Sequence, residues 1–389
     1  MTTVTIAHLI TGLDTGGAEM MLDKLLSRMD PSKFRNIVIS MTGYGKLGTS
    51  LQQKGIQVYS LNMRLGIPSP FGLWRVLKIL RRECPDILQT WLYHADLLGT
   101  IAGKLVGIRR IAWNVRCSDM NLGHYSRLTG LVLRLLARMS RTPDAVVVNS
   151  EAGKRQHENI GYEPKNWVLI PNGFDTERFR PDGLARDRLS RQLGLPAESL
   201  IIGTVARYDP MKDHRNLLEA LRVVLETSSA VRCVLAGKGV DNTNPVLVSA
   251  IKSLGLEGKV HLLGERRDIE LIMPALDVFV LPSAFGEGFP NVVGEAMSCA
   301  VPCIVTDVGD SRFVVGDTGL VVPPMDSQAL ASAIVQFFGK TGLARIHLGA
   351  MARARIEEKF GLMRIVARYE DFYRGLAAQD PDLHVADIK

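Results

Sequence analysis

Two rhythms of apolar residues alternate along the chain. Short runs rich in Val, Ile and Leu read as buried strands. In the first half these are Val4–Ile10, Asn36–Met41, Ile87–Thr90, Arg110–Val115 and Ala145–Asn149. In the second half they are Leu200–Val205, Arg232–Ala236, Val260–Leu263, Val278–Leu281 and Pro302–Thr306. Between them, apolar residues recur at helical spacing over Gly17–Met29, Phe71–Arg82, Ala95–Val106, Tyr125–Ser140, His214–Glu226, Pro245–Leu254 and Asp268–Leu276, and further helices open at Asn291 and Ser327. This alternation predicts an α/β fold with parallel sheets. A length of 389 residues predicts two domains, and IPNGFDTERFRP, Ile170 to Pro181, has the turn chemistry of a linker between them. Two α/β domains imply a cleft at the C-terminal ends of the strands.

Composition narrows the class. Hydrophobic residues make up 46% of the chain, enough for sizeable cores. No apolar run reaches about 18 residues, so no transmembrane span is expected. The opening TTVTIAHLITG has no basic stretch and reads as a first strand rather than a signal peptide. The cysteines, Cys84, Cys117, Cys233, Cys299 and Cys303, are scattered and mostly in apolar context, which predicts structural thiols in a reducing cytoplasm. No second pair or histidine cluster accompanies Cys299 and Cys303, so the core is their expected place rather than a metal site.

Charge adds a partner class. The formal net charge is +7, and residues 1–172 hold 22 Lys/Arg against 12 Asp/Glu, leaving the remainder slightly acidic. A basic N-terminal half suits an anionic membrane, a phosphorylated acceptor or nucleic acid. Nucleic acid is set aside, since no binding motif for it is present. In Arg127–Arg141, Leu128, Leu131, Val132, Leu135, Leu136 and Met139 share one helical face, with Arg127, Arg134, Arg138 and Arg141 off it. Such a helix either covers its own sheet with a solvated basic edge or lies on anionic lipid.

Chemistry-bearing residues collect where strands are expected to end. After the first strand, GLDTGGAEMML offers a Gly16–Gly17 turn for close backbone approach, with Glu19 in the first helical turn. It is not G-x-G-x-x-G, which disfavours a nicotinamide cofactor. GTVARYDPMKDHRNLLEA puts Arg207 and Lys212 in a strand-to-helix loop, an arrangement suited to a diphosphate. LAGKGV places Gly237 and Gly239 after another strand, and LLGERRDIEL places Gly264 to Arg267 after the next. In FVLPSAFGEGFPNVVGEAM a loop carries Glu287, Pro290 and Asn291 open a helix, and that helix carries Glu295. A helix N-terminus flanked by acids suits a phosphorylated, polyhydroxylated ligand.

In this order the segments resemble the family 4 retaining glycosyltransferases of the GT-B fold. The matching pieces are Gly16-Gly17-Ala18-Glu19, VVVNSEAGKRQ, IPNGFDTERFRP, Arg207 with Lys212, LAGKGV, VHLLG, the Glu287-x(7)-Glu295 pair in EGFPNVVGEAM, VPCIVTDVGD and GLVVPPMD. They span nearly the whole chain. The resemblance implies two Rossmann-like domains facing each other across a deep cleft. Residues 1–170 would bind acceptor, with a helix at 361–377 crossing back to them, and residues 171–360 would bind a nucleotide sugar. By the same resemblance Arg207 and Lys212 hold the distal phosphate, and with Glu287 they form the catalytic set. Glu287 would bind donor-sugar hydroxyls and Glu295 ribose hydroxyls. Gly16 and Gly17 would approach the diphosphate, Gly237, Phe289, Asn291 and Val292 would complete the donor contacts, and backbone around Arg266 would touch the base. His94 and Arg116 are the acceptor-side candidates.

The implied reaction moves a hexose from a nucleoside-diphosphate sugar to a glycan acceptor, such as one linked to polyprenyl diphosphate, in cell-surface polysaccharide biosynthesis. Retention by front-face attack is implied, with no metal ion or other cofactor, in the cytoplasm at the inner face of the membrane. The chain departs from the family pattern in two places. Pro290 stands where many members have Gly, so amide donation to phosphate falls to Asn291 and Val292. AWNVRCSD lacks a His that many members carry, and its Arg116 either binds an anionic group in that place or pairs with Asp119. The competing expectations are a sugar-nucleotide 2-epimerase of the same two-lobed fold and a non-catalytic nucleotide-sugar-binding subunit. Retention of Arg207, Lys212, Glu287 and Glu295 disfavours the latter.

Overall fold

Near-continuous apolar runs bury both faces of a strand, and the chain uses them to build two all-parallel sheets. The structure, a computed structural model, describes residues 3–14, 16–64, 69–116 and 127–378. It divides into a first unit, Met1–Gly173 with Leu362–Lys389, and a second, Phe174–Gly361. Among the described residues no helix is long and apolar enough to cross a membrane.

The first unit runs β1 (Val4–Ile10), α1 (Gly17–Leu26), β2 (Phe34–Ser40), α2 (Gly45–Gln53), β3 (Gln57–Ser60), α3 (Pro70–Glu83), β4 (Ile87–Trp91), α4 (Tyr93–Val106), β5 (Arg110–Val115), α5 (Arg127–Met139), β6 (Ala145–Val148), α6 (Glu151–Asn159) and β7 (Trp167–Leu169). Its sheet has the order β3-β2-β1-β4-β5-β6-β7. The strand order therefore turns between β1 and β4, where Ile10 pairs with Trp91. The second unit runs α7 (Ala185–Leu193), β8 (Leu200–Val205), α8 (His214–Thr227), β9 (Val231–Ala236), α9 (Pro245–Ser253), β10 (Val260–Leu262), α10 (Ile269–Ile272), β11 (Val278–Leu281), α11 (Asn291–Ser298), β12 (Cys303–Thr306), α12 (Ser311–Val315), β13 (Leu320–Val322), α13 (Ser327–Phe338) and α14 (Gly342–Arg355). Its sheet, β10-β9-β8-β11-β12-β13, turns between β8 and β11.

A last helix, α15 (Leu362–Ala378), belongs to the first unit. Leu362, Ile365, Val366, Tyr369, Phe372, Tyr373 and Leu376 recur at helical spacing, and all are buried in the core built on β1 and β4. Full burial of side chains this size contributes roughly 1.5–3 kcal/mol each. In the second unit, Leu217, Leu221 and Val224 of α8 share a core with Leu330, Ile334 and Phe337 of α13. Cys233, Cys299 and Cys303 are buried in this unit as free thiols, and burial pushes Cys233 and Cys299 up to about 12. Cys117 lies outside the described residues.

Candidate functional site

In sheets of this kind ligands bind beyond the carboxyl ends of the strands, where the strand order turns. In the second unit that place is held by the loops after β8, β11 and β12. Asp209 accepts the Met211 amide at 3.0 Å and shapes the turn Pro210–Lys212. Asp213, at φ 42°, accepts the Asn216 amide at 3.2 Å and caps α8. The loops are then tied together. Ala284 N–H donates to the Met211 carbonyl (2.9 Å), Asp310 N–H to the Gly288 carbonyl (2.9 Å), and the Thr306 hydroxyl to the Ser283 carbonyl (2.6 Å). A Cβ on Gly309, at φ 61°, would lie 2.1 Å from the Glu287 carbonyl oxygen, so only glycine lets the third loop close on the second.

This stitching brings Lys212 to Glu287. The ammonium donates to Glu287 Oε1, and Ser283 Oγ donates to the same oxygen at 2.6 Å. The two side chains are only 13% and 8% exposed. In an ion pair this withdrawn, attraction is set against desolvation, and loss of one partner strands the other charge. Arg207 differs. Its Nε donates to Asp209 Oδ2 at 3.0 Å, but its side chain is 57% exposed. A pair so solvated is worth little and exchanges readily for another anion.

The loops after β9 and β10 join the same end of the sheet. Tyr208 N–H donates to the Lys238 carbonyl (2.8 Å) and Gly237 N–H to the Gly264 carbonyl (2.7 Å). A Cβ on Gly237 would lie 2.0 Å from the Ala206 carbonyl oxygen. Arg266 forks the Asp268 carboxylate at 2.8 and 2.6 Å and holds it below the usual carboxylate range. At α11, Pro290 is the N-cap residue, and the first helical residues, Asn291 and Val292, are half-buried, as is Glu295. Phe289 is not displayed as a donor-facing ring. It is buried, 6.0 Å from the Phe174 ring and 5.5 Å from Phe360, so it serves the core.

Two residues of this site escaped the sequence reading. Ser283 steadies Glu287, and its only signal was its place just after a strand. His214 opens α8, tilted against Tyr208 at 5.6 Å, and burial lowers it to about 4, which keeps it neutral.

The first-unit candidates follow the carboxyl ends of the neighbouring strands β1, β4 and β5. Gly16 caps α1, and a Cβ there would lie 2.2 Å from Glu19 Oε2. The Glu19 carboxylate thus curls back over the helix start, and burial raises its pKa. His94, in the first turn of α4, is half-buried, with Nε2 3.5 Å from Thr129 Oγ1, and burial lowers its pKa. Arg116 comes directly after β5 and is engaged by its own unit. It donates to Asn114 (3.0 Å), to Asn172 and to the Tyr369 hydroxyl (2.6 Å), and its guanidinium lies 4.9 Å over the Trp91 ring. The alternative partner, Asp119, lies outside the described residues. Chemically, the second unit offers cations and a helix N-terminus for an anion, beside carboxylates for hydroxyls.

Comparison with known proteins gives a consistent answer. Residues 15–178 match a family described as Glycosyltransferase Family 4, and residues 199–340 one described as Glycosyl transferases group 1. A UDP-Gal:alpha-D-GlcNAc-diphosphoundecaprenol alpha-1,3-galactosyltransferase of Escherichia coli is 27% identical over 78% of this chain and 78% of its own length. An N-acetyl-alpha-D-glucosaminyl L-malate synthase of Bacillus anthracis is 27% identical over 79% of each chain. Among solved structures, Anabaena Alr3699/HepE in complex with UDP superposes with a TM-score of 0.82 at 25% identity, over 95% of this chain and 99% of that one.

Proposed function

We propose, from a chain that belongs to the family 4, group 1 glycosyltransferases and has their GT-B fold, that it moves a hexose from a nucleoside-diphosphate sugar to a lipid-linked glycan, with retention of configuration. Sugar transfer from a nucleotide sugar is the family's chemistry. The hexose, the acceptor and the stereochemistry are the finer part. The observation that carries the proposal is the Lys212–Glu287–Ser283 cluster at the turning point of the second sheet.

As the bond from sugar C1 to the phosphate oxygen breaks, positive charge grows on the sugar and negative charge on the departing diphosphate. Groups aimed at that charge lower the barrier most. Lys212 would meet the distal phosphate as a point charge and Arg207 as a fork, and the α11 amides from Asn291 and Val292 would add dipoles. One Glu287 oxygen is held by Lys212 and Ser283, and the other would accept a donor-sugar hydroxyl. Glu295 would take the ribose. The acceptor oxygen bonds to C1 on the face the phosphate leaves, and its proton passes to the departing phosphate oxygen. In this scheme no metal ion takes part.

The acceptor class is supported by the name of the Escherichia coli relative and the donor class by UDP in the Anabaena complex. Placement at an anionic membrane is supported by charge. Helices α3, α4 and α5 carry Arg75, Lys78, Arg81, Arg82, Lys104, Arg127, Arg134 and Arg138 against two carboxylates, Glu83, ion-paired with Arg35 and Arg82, and Asp96, buried. The test is a panel of UDP-, GDP- and ADP-hexoses with membrane extract as acceptor source. Nucleotide release with one donor, undiminished by EDTA, is expected. An absence of release with every donor refutes the transferase, and release without an acceptor product would point to a 2-epimerase or a hydrolase.

A further inference from the structure

The first unit has a feature that neither its sheet nor the donor chemistry explains. Helices α3, α4 and α5 enclose a groove of about 450 Å³ at the end of the sheet where β2 and β4 finish. Leu73 of α3, Leu98 and Ile101 of α4, and Leu131 and Leu135 of α5 line it, together with Met63. The polar residues on its lining are few, among them the exposed Arg64 and the half-buried His94. Its volume falls within the ordinary range for small-ligand sites.

The helices bury what the sheet needs and keep more. On α5, Val132, Leu133 and Leu136 are buried, whereas Leu131 and Leu135 are 61% and 40% exposed. Phe71 and Trp74 of α3 and Ile101 and Leu105 of α4 are exposed on the same three helices. Of these, Ile101, Leu131 and Leu135 line the groove itself, and exposed apolar residues gathered on a groove mark an interaction site. The flanking charge selects its partner, because the exposed charges of these helices are basic and their carboxylates are paired or buried. An apolar groove with an exposed arginine, Arg64, on its lining fits a hydrocarbon chain ending in phosphate.

We infer that this groove seats a single hydrocarbon chain of a lipid phosphate, with Arg64 facing the phosphate. The inference deepens the lipid-linked acceptor proposed above and rests on it. The groove holds the first part of the chain and presents the headgroup at the ends of β2 and β4, the edge from which His94 rises. Placing an acceptor this way restricts its freedom before reaction.

The experiment uses the full chain with farnesyl phosphate as probe, read by calorimetry, against inorganic phosphate. Saturable binding of farnesyl phosphate, absent for inorganic phosphate, is expected. Leu131→Asp places a charge where the chain would lie, on a residue already exposed, and should weaken binding at least about tenfold, with Ile101→Asp as the second variant. Palmitoyl lysophosphatidic acid, run in parallel, separates an isoprenoid from an acyl preference. Binding of equal strength in the wild type and both variants overturns the groove, as does transfer to a lipid-linked acceptor with an unchanged KM in Leu131→Asp. A dimer that Leu131→Asp dissociates, without farnesyl phosphate binding, overturns it in favour of a second copy of the chain. Probe binding lost in the variants, from an enzyme that uses no lipid-linked acceptor, upholds the groove and removes the acceptor proposal instead.

Discussion

The two units share one sheet plan and place different chemistry at its turning point. Where β8 meets β11, loops hold an ion pair, Lys212 with Glu287, beside the exposed Arg207. Where β1 meets β4, several polar groups are paired with one another instead. Trp91 Nε1 donates to His8 Nδ1 at 3.3 Å, and His8 Nε2 faces Asn36 Oδ1 at 3.0 Å. Arg116 bridges Asn114, Asn172 and Tyr369 of α15. The parallel sheet makes a site available in both units. The residues just beyond the strand ends decide whether charge is kept for a ligand or used to hold the chain's last helix. The second unit should therefore lose activity when its cations go, and the first should lose stability.

Lys212→Ala is the strongest way to break this contrast. Removing one donor to a developing anion costs about 10²–10³ in turnover. Because Glu287 is buried with it, the variant should also lose about 3 kcal/mol of stability, measured by urea unfolding. The double variant Lys212→Ala/Glu287→Gln removes the stranded charge, so it should regain most of that stability and none of the turnover. A double variant no more stable than the single one shows that the pair is not effectively buried, and near wild-type turnover in Lys212→Ala removes its role on the phosphate.

Arg116→Ala tests the other side. It deprives Asn172 and Tyr369 of a charged donor and opens the seam where α15 packs, at a cost of about 3 kcal/mol. Turnover per folded molecule should fall far less than in Lys212→Ala. A stable Arg116→Ala protein with a raised acceptor KM would reverse this and make Arg116 an acceptor-binding group.

That reversal is worth testing because the sequence made Arg116 ambiguous, and the reason is physical. Central strands such as Val4–Ile10 and Arg110–Val115 were legible to the residue, since burial on both faces demands a continuous apolar run. Edge strands β3, β7 and β13 were not read as strands, although the fourth edge strand, β10, was. An edge has solvent beside it, and QVYS or WVL is too short to show a period. Helices α2 and α6, GKLGTSLQQ and EAGKRQHEN, bury only two residues each, so their apolar period is faint. At the site, residue types and strand-end positions were visible, but pairings were not. Lys212 and Glu287 lie on separate loops 75 positions apart, and the backbone bond from Ala284 to Met211 that ties those loops together is invisible in the sequence. Arg116 and Tyr369 are 253 positions apart, which no local pattern reports.

The neutral ladder of the first unit also has a pH signature. Burial lowers His8 from 6.5 to about 4, and its partners suit the neutral ring. The unfolded chain then binds a proton below pH 6.5 that the folded chain refuses until about 4. Stability is thus whole above pH 6.5 and declines as pH falls through that window, by about 2 kcal/mol at pH 5 for one such histidine. His8→Gln should be less stable at pH 7.5, with a pH 7.5-to-5 decline smaller by about that amount. His157 and His214, also lowered to about 4, keep the rest of the slope. An unchanged slope in His8→Gln would mean that the ring is already protonated in the folded state and that the ladder is not neutral.

The smallest effect lies on the surface of the first unit, where the contrast with the second is one of charge sign rather than of burial. Arg134 and Arg138 are exposed on α5, whose residues include no acid. A basic residue near an anionic bilayer is worth about 1 kcal/mol, screened within a Debye length. Arg134→Gln/Arg138→Gln should therefore bind phosphatidylserine vesicles more weakly by about 1 kcal/mol per arginine, with the difference shrinking as salt is raised. Turnover on a water-soluble acceptor should stay as it was, because neither residue belongs to the cluster proposed to bind the donor. Equal sedimentation of both proteins with the vesicles at low salt would return α5 to the plain task of covering its sheet. It would leave the exposed Leu131 and Leu135 to be explained by the groove alone.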